Sequence, residues 1–155
     1  MRVMSAEEAR AFLAEGARTA HVATTRADGS PHVVPVWYLV DGDALVFTCA
    51  RDSVKGRNLA RDPRCSISVA GPDFDVVLEG TASKVTDPSI VAELARVAAD
   101  DGWPARVDDS GAAITAEYSA PSAGPPPWHV YRFTPRRATA LGTKEPGGAT
   151  RWDFD

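Results

Sequence analysis

Apolar and polar residues alternate with a period of two over TAHVATT (19–25), where Ala20 and Val22 face one way and Thr19 and His21 the other. That period predicts a strand. RADGS (26–30) carries turn chemistry, with Gly29 free to take positive φ, and a second strand follows over 32–40. Asp41-Gly42-Asp43 reverses the chain into a third strand, ALVFTC. Alternation returns in RCSISVAG (64–71) and VVLEGTASKVT (76–86), with Gly80 marking a bulge position, and in WHVYRFTPRRATALG (128–142), with a break expected at Pro135. Helical spacing occurs three times. Ser5-Ala6-Glu7-Glu8 is a capping box that opens a short helix with Ala9, Phe12 and Leu13 inward and Gly16 as its stop. SVKGRNLARD (53–62) has Ser53 as N-cap and Pro63 beyond its end. Asp87-Pro88 starts a third helix with Ile90, Val91, Leu94 and Val97 on one face. Residues 102–127 are irregular, and the proline-rich YSAPSAGPPPW suits neither a helix nor a central strand.

Six strands and two or three small helices, with no βαβ alternation and no GxGxxG, predict a mainly β (α+β) fold: a small antiparallel barrel with appended helices. The 155 residues suffice for one domain with a real core. The tail TKEPGGATRWDFD is too polar and glycine-rich to fold alone, yet Trp152 and Phe154 favour burial. The division expected is therefore a barrel over 1–142 and a tail over 143–155 that docks on the domain or on a dimer partner.

Composition narrows the function. A net charge of −4 argues against nucleic-acid binding, because such proteins carry a basic face. The longest apolar run, VVPVWYLV (33–40), is too short to span a bilayer, and the first residues lack the apolar core of a signal peptide. A cytoplasmic protein is expected. Cys49 and Cys65 match no metal or redox spacing, His21, His32 and His129 lie far apart, and no metal site is expected.

One segment departs from the acidic balance. RDSVKGRNLARDPR (51–64) holds five cations and two carboxylates, a net +3 in fourteen residues. Many charge runs are solvated helix faces. Here the cations follow a strand and open a helix, whose N-terminal N–H groups and dipole favour an anion. Gly56 costs the helix about 1 kcal/mol against alanine, a cost that makes sense where a ligand or backbone comes close. Lysine, arginine and main-chain donors together suit a phosphate. A second segment, PHVVPVWYLV, places Pro35 inside a strong strand. Either pairing lapses there or the strand lies at an edge, and a flat heteroaromatic ring could take up the released main-chain groups. An edge proline that merely discourages aggregation is the alternative.

Taken in order, HVATTRADGSPHVVPVWY, LVFTCARDSVKGRNLARDPRCSISV and VVLEGTASKVTD resemble the flavin- and deazaflavin-dependent oxidoreductases with the pyridoxamine-phosphate-oxidase-like split barrel. The likeness covers 20–87 and, more weakly, 128–142, and its middle is most similar to the branch that uses coenzyme F420. The resemblance implies a six-stranded antiparallel split barrel and a homodimer with the cofactor at the subunit interface. Lys55, Arg57 and Asn58 would match phosphate-binding positions, with Thr48 and Ser53 nearby. Val34, Pro35, Val36 and Trp37 would present main-chain groups to the ring, with His32 at the start of that wall. Trp128, Arg151 and Trp152 are candidates for closing the pocket, from this or the other subunit, although Trp128 reads equally well as a core aromatic. Arg51 and Arg61 could meet the carboxylates of the F420 lactyl-glutamyl tail or could be only solvated. The implied reaction is hydride transfer from reduced F420 to a planar conjugated substrate, with no protein acid–base pair evident. Two alternatives stand beside it: an FMN-dependent oxidase of the pyridoxamine phosphate type, and a non-catalytic cofactor or tetrapyrrole carrier. RNA binding through the basic segment is disfavoured by the net charge and the lack of surface aromatics there.

Overall fold

The computed structural model describes residues 3–15, 18–119, 123–144 and 147–154. Three helices and nine strands run in the order α1 (Ala6–Ala14), β1 (Arg18–Thr25), β2 (Pro31–Asp41), β3 (Ala44–Ala50), α2 (Val54–Arg61), β4 (Arg64–Ala70), β5 (Phe74–Val85), α3 (Pro88–Asp100), β6 (Arg106–Val107), β7 (Ile114–Thr115), β8 (Trp128–Gly142) and β9 (Ala149–Asp153). Six of the strands close on themselves in the order β3-β2-β1-β4-β5-β8, and β8 returns to pair with β3. All these pairings are antiparallel. The expected six-stranded split barrel is the fold observed.

Alternation decides which side chains fill the barrel. Val22, Val36, Tyr38, Phe47, Ile67, Val69, Leu78 and Phe133 point inward and are almost wholly buried. Each such side chain contributes about 1.5–3 kcal/mol of burial. The α1 capping box is present, with the Glu8 N–H on Ser5 Oγ (3.1 Å) and the Ser5 N–H on Glu8 Oε2 (2.8 Å). The Tyr38 hydroxyl donates to Leu13 O at 3.1 Å and ties α1 to the barrel. The Gly16 stop lies outside the described residues. A second apolar cluster forms outside the barrel, where α3 covers Val46, Trp128 and Val130. Its buried face is Val91, Leu94, Ala95 and Ala98, while Ile90 is exposed and Val97 only half-buried. Counted from Val91, the alanines carry the i+4 and i+7 positions, which a search for large side chains misses.

Two chain segments are more ordered than their composition suggests. Within 102–127, β6 and β7 form a two-residue ladder that Ile114 links to Trp128. In the tail, β9 pairs with β8, and Trp152 and Phe154 pack with Phe12 against the barrel cluster. The predicted break at Pro135 is instead a bulge in an unbroken β8. Gly80 pairs with Pro135 and Glu79 with Arg137, so Arg136 is the extra residue. A Cβ on Gly80 would lie 2.1 Å from the Thr134 carbonyl oxygen, which is why glycine stands opposite the bulge. Gly80→Ala is expected to lose about 2–3 kcal/mol of stability in urea denaturation; a loss within experimental error would show that the bulge relaxes freely.

Candidate cofactor site

The site begins with a turn. Asp41 pairs with Ala44 across a two-residue loop whose Gly42 has φ +62°, so the pair closes a tight hairpin and exchanges main-chain hydrogen bonds. Counting back by twos, residues 39, 37, 35 and 33 also aim their N–H and C=O groups toward the β3 side. Leu39 finds Val46 there. Beyond that pair the two strands part, and among the described residues nothing pairs with the β3-side edge of β2 from 31 to 38. The ladder with β1 continues unbroken through Pro35↔His21. A proline tolerates this only if its missing N–H faces away from β1, into the split. The turn and the proline therefore agree. Of the residues expected to wall a ring, 34–37, Pro35 and Trp37 turn their main-chain groups into the split, as Val33 does, while 34 and 36 turn theirs toward β1. Val33 and Trp37 are also 57% and 58% exposed, an apolar face beside an open edge.

The same count places the Thr48 main chain on the opposite side of the split. Its carbonyl accepts from Lys55 Nζ at 3.3 Å, so an ammonium stands where a strand N–H would otherwise be. Lys55 is only 9% exposed and its Nζ lies 5.5 Å from the centroid of the Phe47 ring. Burial lowers its pKa from the usual 10.5, with the Cys49 thiol opposing. Among the described residues no carboxylate pairs with it. A buried cation without an anion is costly, and the arrangement makes chemical sense once an anion enters the split.

Helix α2 sets that lysine. Ser53 caps it, accepting from the Gly56 N–H at 3.0 Å. A Cβ on Gly56 would lie 3.1 Å from Ser53 Oγ and 3.2 Å from Ala50 O, so the glycine lets the helix fold tightly onto the end of β3. Arg57 is exposed and donates to Asp52 O at 2.7 Å, on the same first turn as Lys55. Asn58 is 3% exposed; its Nδ2 donates to Thr24 Oγ1 at 3.0 Å and its Oδ1 accepts from Arg61 at 3.3 Å. It fastens α2 to β1 from beneath the cradle. His32 pairs with Thr24 across the β1–β2 ladder. Its Nδ1 is buried without a hydrogen-bond partner among the described residues, and burial followed by the Arg26 and Lys55 charges lowers its pKa, favouring neutral imidazole.

Two neighbouring features were not legible in the local sequence. Arg26 and Arg64 join Arg61 along an open groove of about 490 Å³, with Thr25 and Gly29 in its wall. Arg26 donates to Pro31 O at 2.7 Å, Arg61 to Thr25 O, and Arg64 pairs with Asp62 at 2.8 Å, holding that carboxyl down to about 2. Arg26 and Arg64 meet because Ala23 pairs with Ser66, a contact no local motif encodes. The second feature is a slot of about 50 Å³ where β2 and β3 part, lined by Trp37, Thr48, Leu94 and Trp103 among others.

The remaining predicted residues lie apart. Trp128 is 2% exposed, donates to Ala123 O at 3.3 Å and packs 5.4 Å from Trp103, as a core aromatic beneath the second apolar cluster. Trp152 pairs opposite Ala138 and Arg151 opposite Thr139, whereas Ala50 pairs with Trp128 at the other end of β8. Arg51 is exposed near His129, whose pKa is lowered by burial first, then by Lys84 and Arg51. Cys49 and Cys65 are buried free thiols, and burial pushes Cys65 up to about 12. No helix among the described residues is long and apolar enough to cross a membrane.

The fold is thus a closed six-stranded antiparallel barrel that splits between two strands, with a buried cation at the split. A sequence profile for pyridoxamine 5'-phosphate oxidase matches residues 5–142, and the chain belongs to that family. Among solved structures, a protein described as an F420 reductase is 26% identical, with 88% of this chain and 98% of that one covered and a TM-score of 0.59. An FMN-binding, pyridoxamine 5'-phosphate oxidase-related protein from Nostoc punctiforme is 18% identical over 100% of each chain, with a TM-score of 0.64. A FAD-binding protein from Mesorhizobium loti is 24% identical, with 92% and 98% covered and a TM-score of 0.64. These last two share the fold. A search of curated proteins finds no match.

Lys55, unpaired among the described residues, makes a stability prediction. Its folded-state pKa lies below the unfolded value, so between the two the unfolded chain holds the extra proton and stability rises with pH toward about 10.4. Lys55→Met is expected to remove that rise and to stabilise the ligand-free protein by about 1–2 kcal/mol at neutral pH. Urea denaturation at several pH values checks it; a destabilised variant would mean that the ammonium is already satisfied.

Proposed function

We propose that the chain is an F420-dependent oxidoreductase that works as a homodimer in the cytoplasm and passes hydride between the deazaflavin and a planar conjugated substrate. The observation that carries the reading is Lys55, a buried ammonium with no anion among the described residues, set in the split beside an open strand edge. The residues fit such a cofactor. Lys55 and Arg57, on one helical turn, would grip the phosphate. The edge of Val33, Pro35 and Trp37 would hold the ring, and the apolar slot of Trp37, Leu94 and Trp103 would keep water from it. When bound, F420 supplies a hydride donor at its deazaflavin carbon, so the protein's share is placement and electrostatics.

A phosphate cradle alone does not separate F420 from FMN. The arginine groove favours F420. Arg61 is linked to the cradle through Asn58 and shares its groove with Arg26, Arg64 and the Asp62 that pairs with Arg64, and FMN has no further anion to offer these guanidinium groups. The lactyl-glutamyl tail of F420 carries carboxylates that guanidinium groups bind well. The 26% identical F420 reductase supports the same choice. Dimerisation is supported by the exposed apolar side chains Val33 and Trp37 at an edge that one chain leaves uncovered.

Fluorescence titration with F420 tests the reading. Lys55→Ala and Arg57→Ala are each expected to weaken binding by about 1.5–3 kcal/mol, roughly 10- to 150-fold, and Arg64→Ser is expected to weaken F420 but not FMN. Protein that copurifies yellow with FMN and ignores added F420 would contradict the cofactor. Binding of F420 without hydride transfer across a broad panel of enones and quinones would point to a carrier. Light scattering should give twice the 16.5 kDa chain mass, and a monomer with full F420 affinity would contradict the shared site.

A further inference from the structure

The slot between α3 and the parted strands is apolar almost throughout. Trp37, Leu94, Ala98 and Trp103 line it, Thr48 adds a hydroxyl-bearing side chain, and Asp101 is the only charged residue in its lining. Trp103 is held in place, because its Nε1 donates to Tyr118 O at 2.7 Å. The slot measures about 50 Å³, whereas a cavity that admits a whole benzene ring measures about 150 Å³. It therefore takes the tip of a ligand, a methyl or ethyl group. The rest would lie at the open mouth beside Trp37, a large aromatic that is mostly exposed and offers a flat face.

The charge around this slot is one-sided. Asp100 closes α3 and Asp101 caps it, and the last turn of the helix has no basic residue. Carboxylates there meet the negative end of the helix dipole, a placement that a cation would relieve. Arg96 serves Asp100 at 2.7 Å. Among the described residues no cation pairs with Asp101, and none lines the slot. The cations of the cradle and groove stand instead on or beside α2 and the β1–β2 turn. We propose that the slot anchors the substrate and that Asp101 selects its charge: a flat molecule with a small apolar tip and an amine cation at its other end, in preference to a carboxylate or phosphate of the same shape. That substrate class rests on the oxidoreductase reading above, while the slot and its carboxylate are already in place in the ligand-free chain.

The test uses three probes that share a para-methylbenzyl group: para-methylbenzylamine, para-methylbenzyl alcohol and para-methylphenylacetate, which are a cation, a neutral molecule and an anion. Each is titrated at low salt into the isotope-labelled, ligand-free chain, and the tryptophan indole N–H signals are followed by NMR. The signals of Trp37 and Trp103 are expected to move, and that of Trp152, on β9, to stay. The amine is expected to bind about two- to fivefold more tightly than the alcohol, the range of one exposed ion pair, and the acid more weakly than either. Asp101→Asn is expected to remove this order, and Ala98→Leu to fill the slot and weaken all three probes. Asp109→Asn, which neutralises an exposed carboxylate outside the slot lining, is expected to keep the order. Thermal melts confirm folding. The proposal is overturned if no probe binds, if the acid binds as tightly as the amine, or if the order persists in folded Asp101→Asn. F420 is titrated separately. F420 binding with no charge order among the probes fails Asp101 alone, whereas a charge order without F420 binding fails the oxidoreductase reading and leaves the slot a cation-selective site.

Discussion

The hydrogen bond from Lys55 Nζ to the Thr48 carbonyl organises the rest of the site. It holds a charge inside the gap where two barrel strands separate, and it satisfies a main-chain acceptor that the separation orphans. The barrel thereby stays split without a gross unsatisfied group on β3. Among the described residues the ammonium has one carbonyl and an aromatic face instead of a counter-ion. That imbalance is tolerable in a protein whose ligand carries the anion, because binding then offsets a cost built into the empty fold.

Local sequence and tertiary structure divide the labour of building this arrangement. The turn at Gly42 fixes the register of β2 against β3, and register alone decides which main-chain groups reach the split. Pro35 prevents the edge from being fully paired by another strand. Ser53 and Gly56 set where α2 starts, while Asn58 and Arg61 fasten its far end to Thr24 and Thr25. Each is an ordinary device, and together they point one lysine inward.

Much of this was readable before any coordinates. Period-two alternation, the capping box, the Gly80 bulge and the cation-rich helix after β3 are encoded within a few residues, and each stands where its pattern implies. What the chain did not reveal depends on distant pairing. The groove brings Arg26 beside Arg64 through the β1–β4 ladder. Val33 replaces Val34 and Val36 on the open edge because strand polarity is counted from a turn several residues away. Asn58 neighbours Lys55 and Arg57 in sequence, but its bonds to Thr24 and Arg61 depend on how α2 meets β1. The tail strand and the alanine face of α3 were hidden because their stabilisation is tertiary: β9 borrows the edge of β8, and small side chains give little signal until a partner surface is known.

A crystal structure of the chain with F420 tests the central claim most directly. The account predicts a phosphate oxygen within hydrogen-bond distance of Lys55 Nζ and the ring seated along the Val33–Trp37 edge. A phosphate bound elsewhere, with Lys55 still contacting only the Thr48 carbonyl, would contradict it.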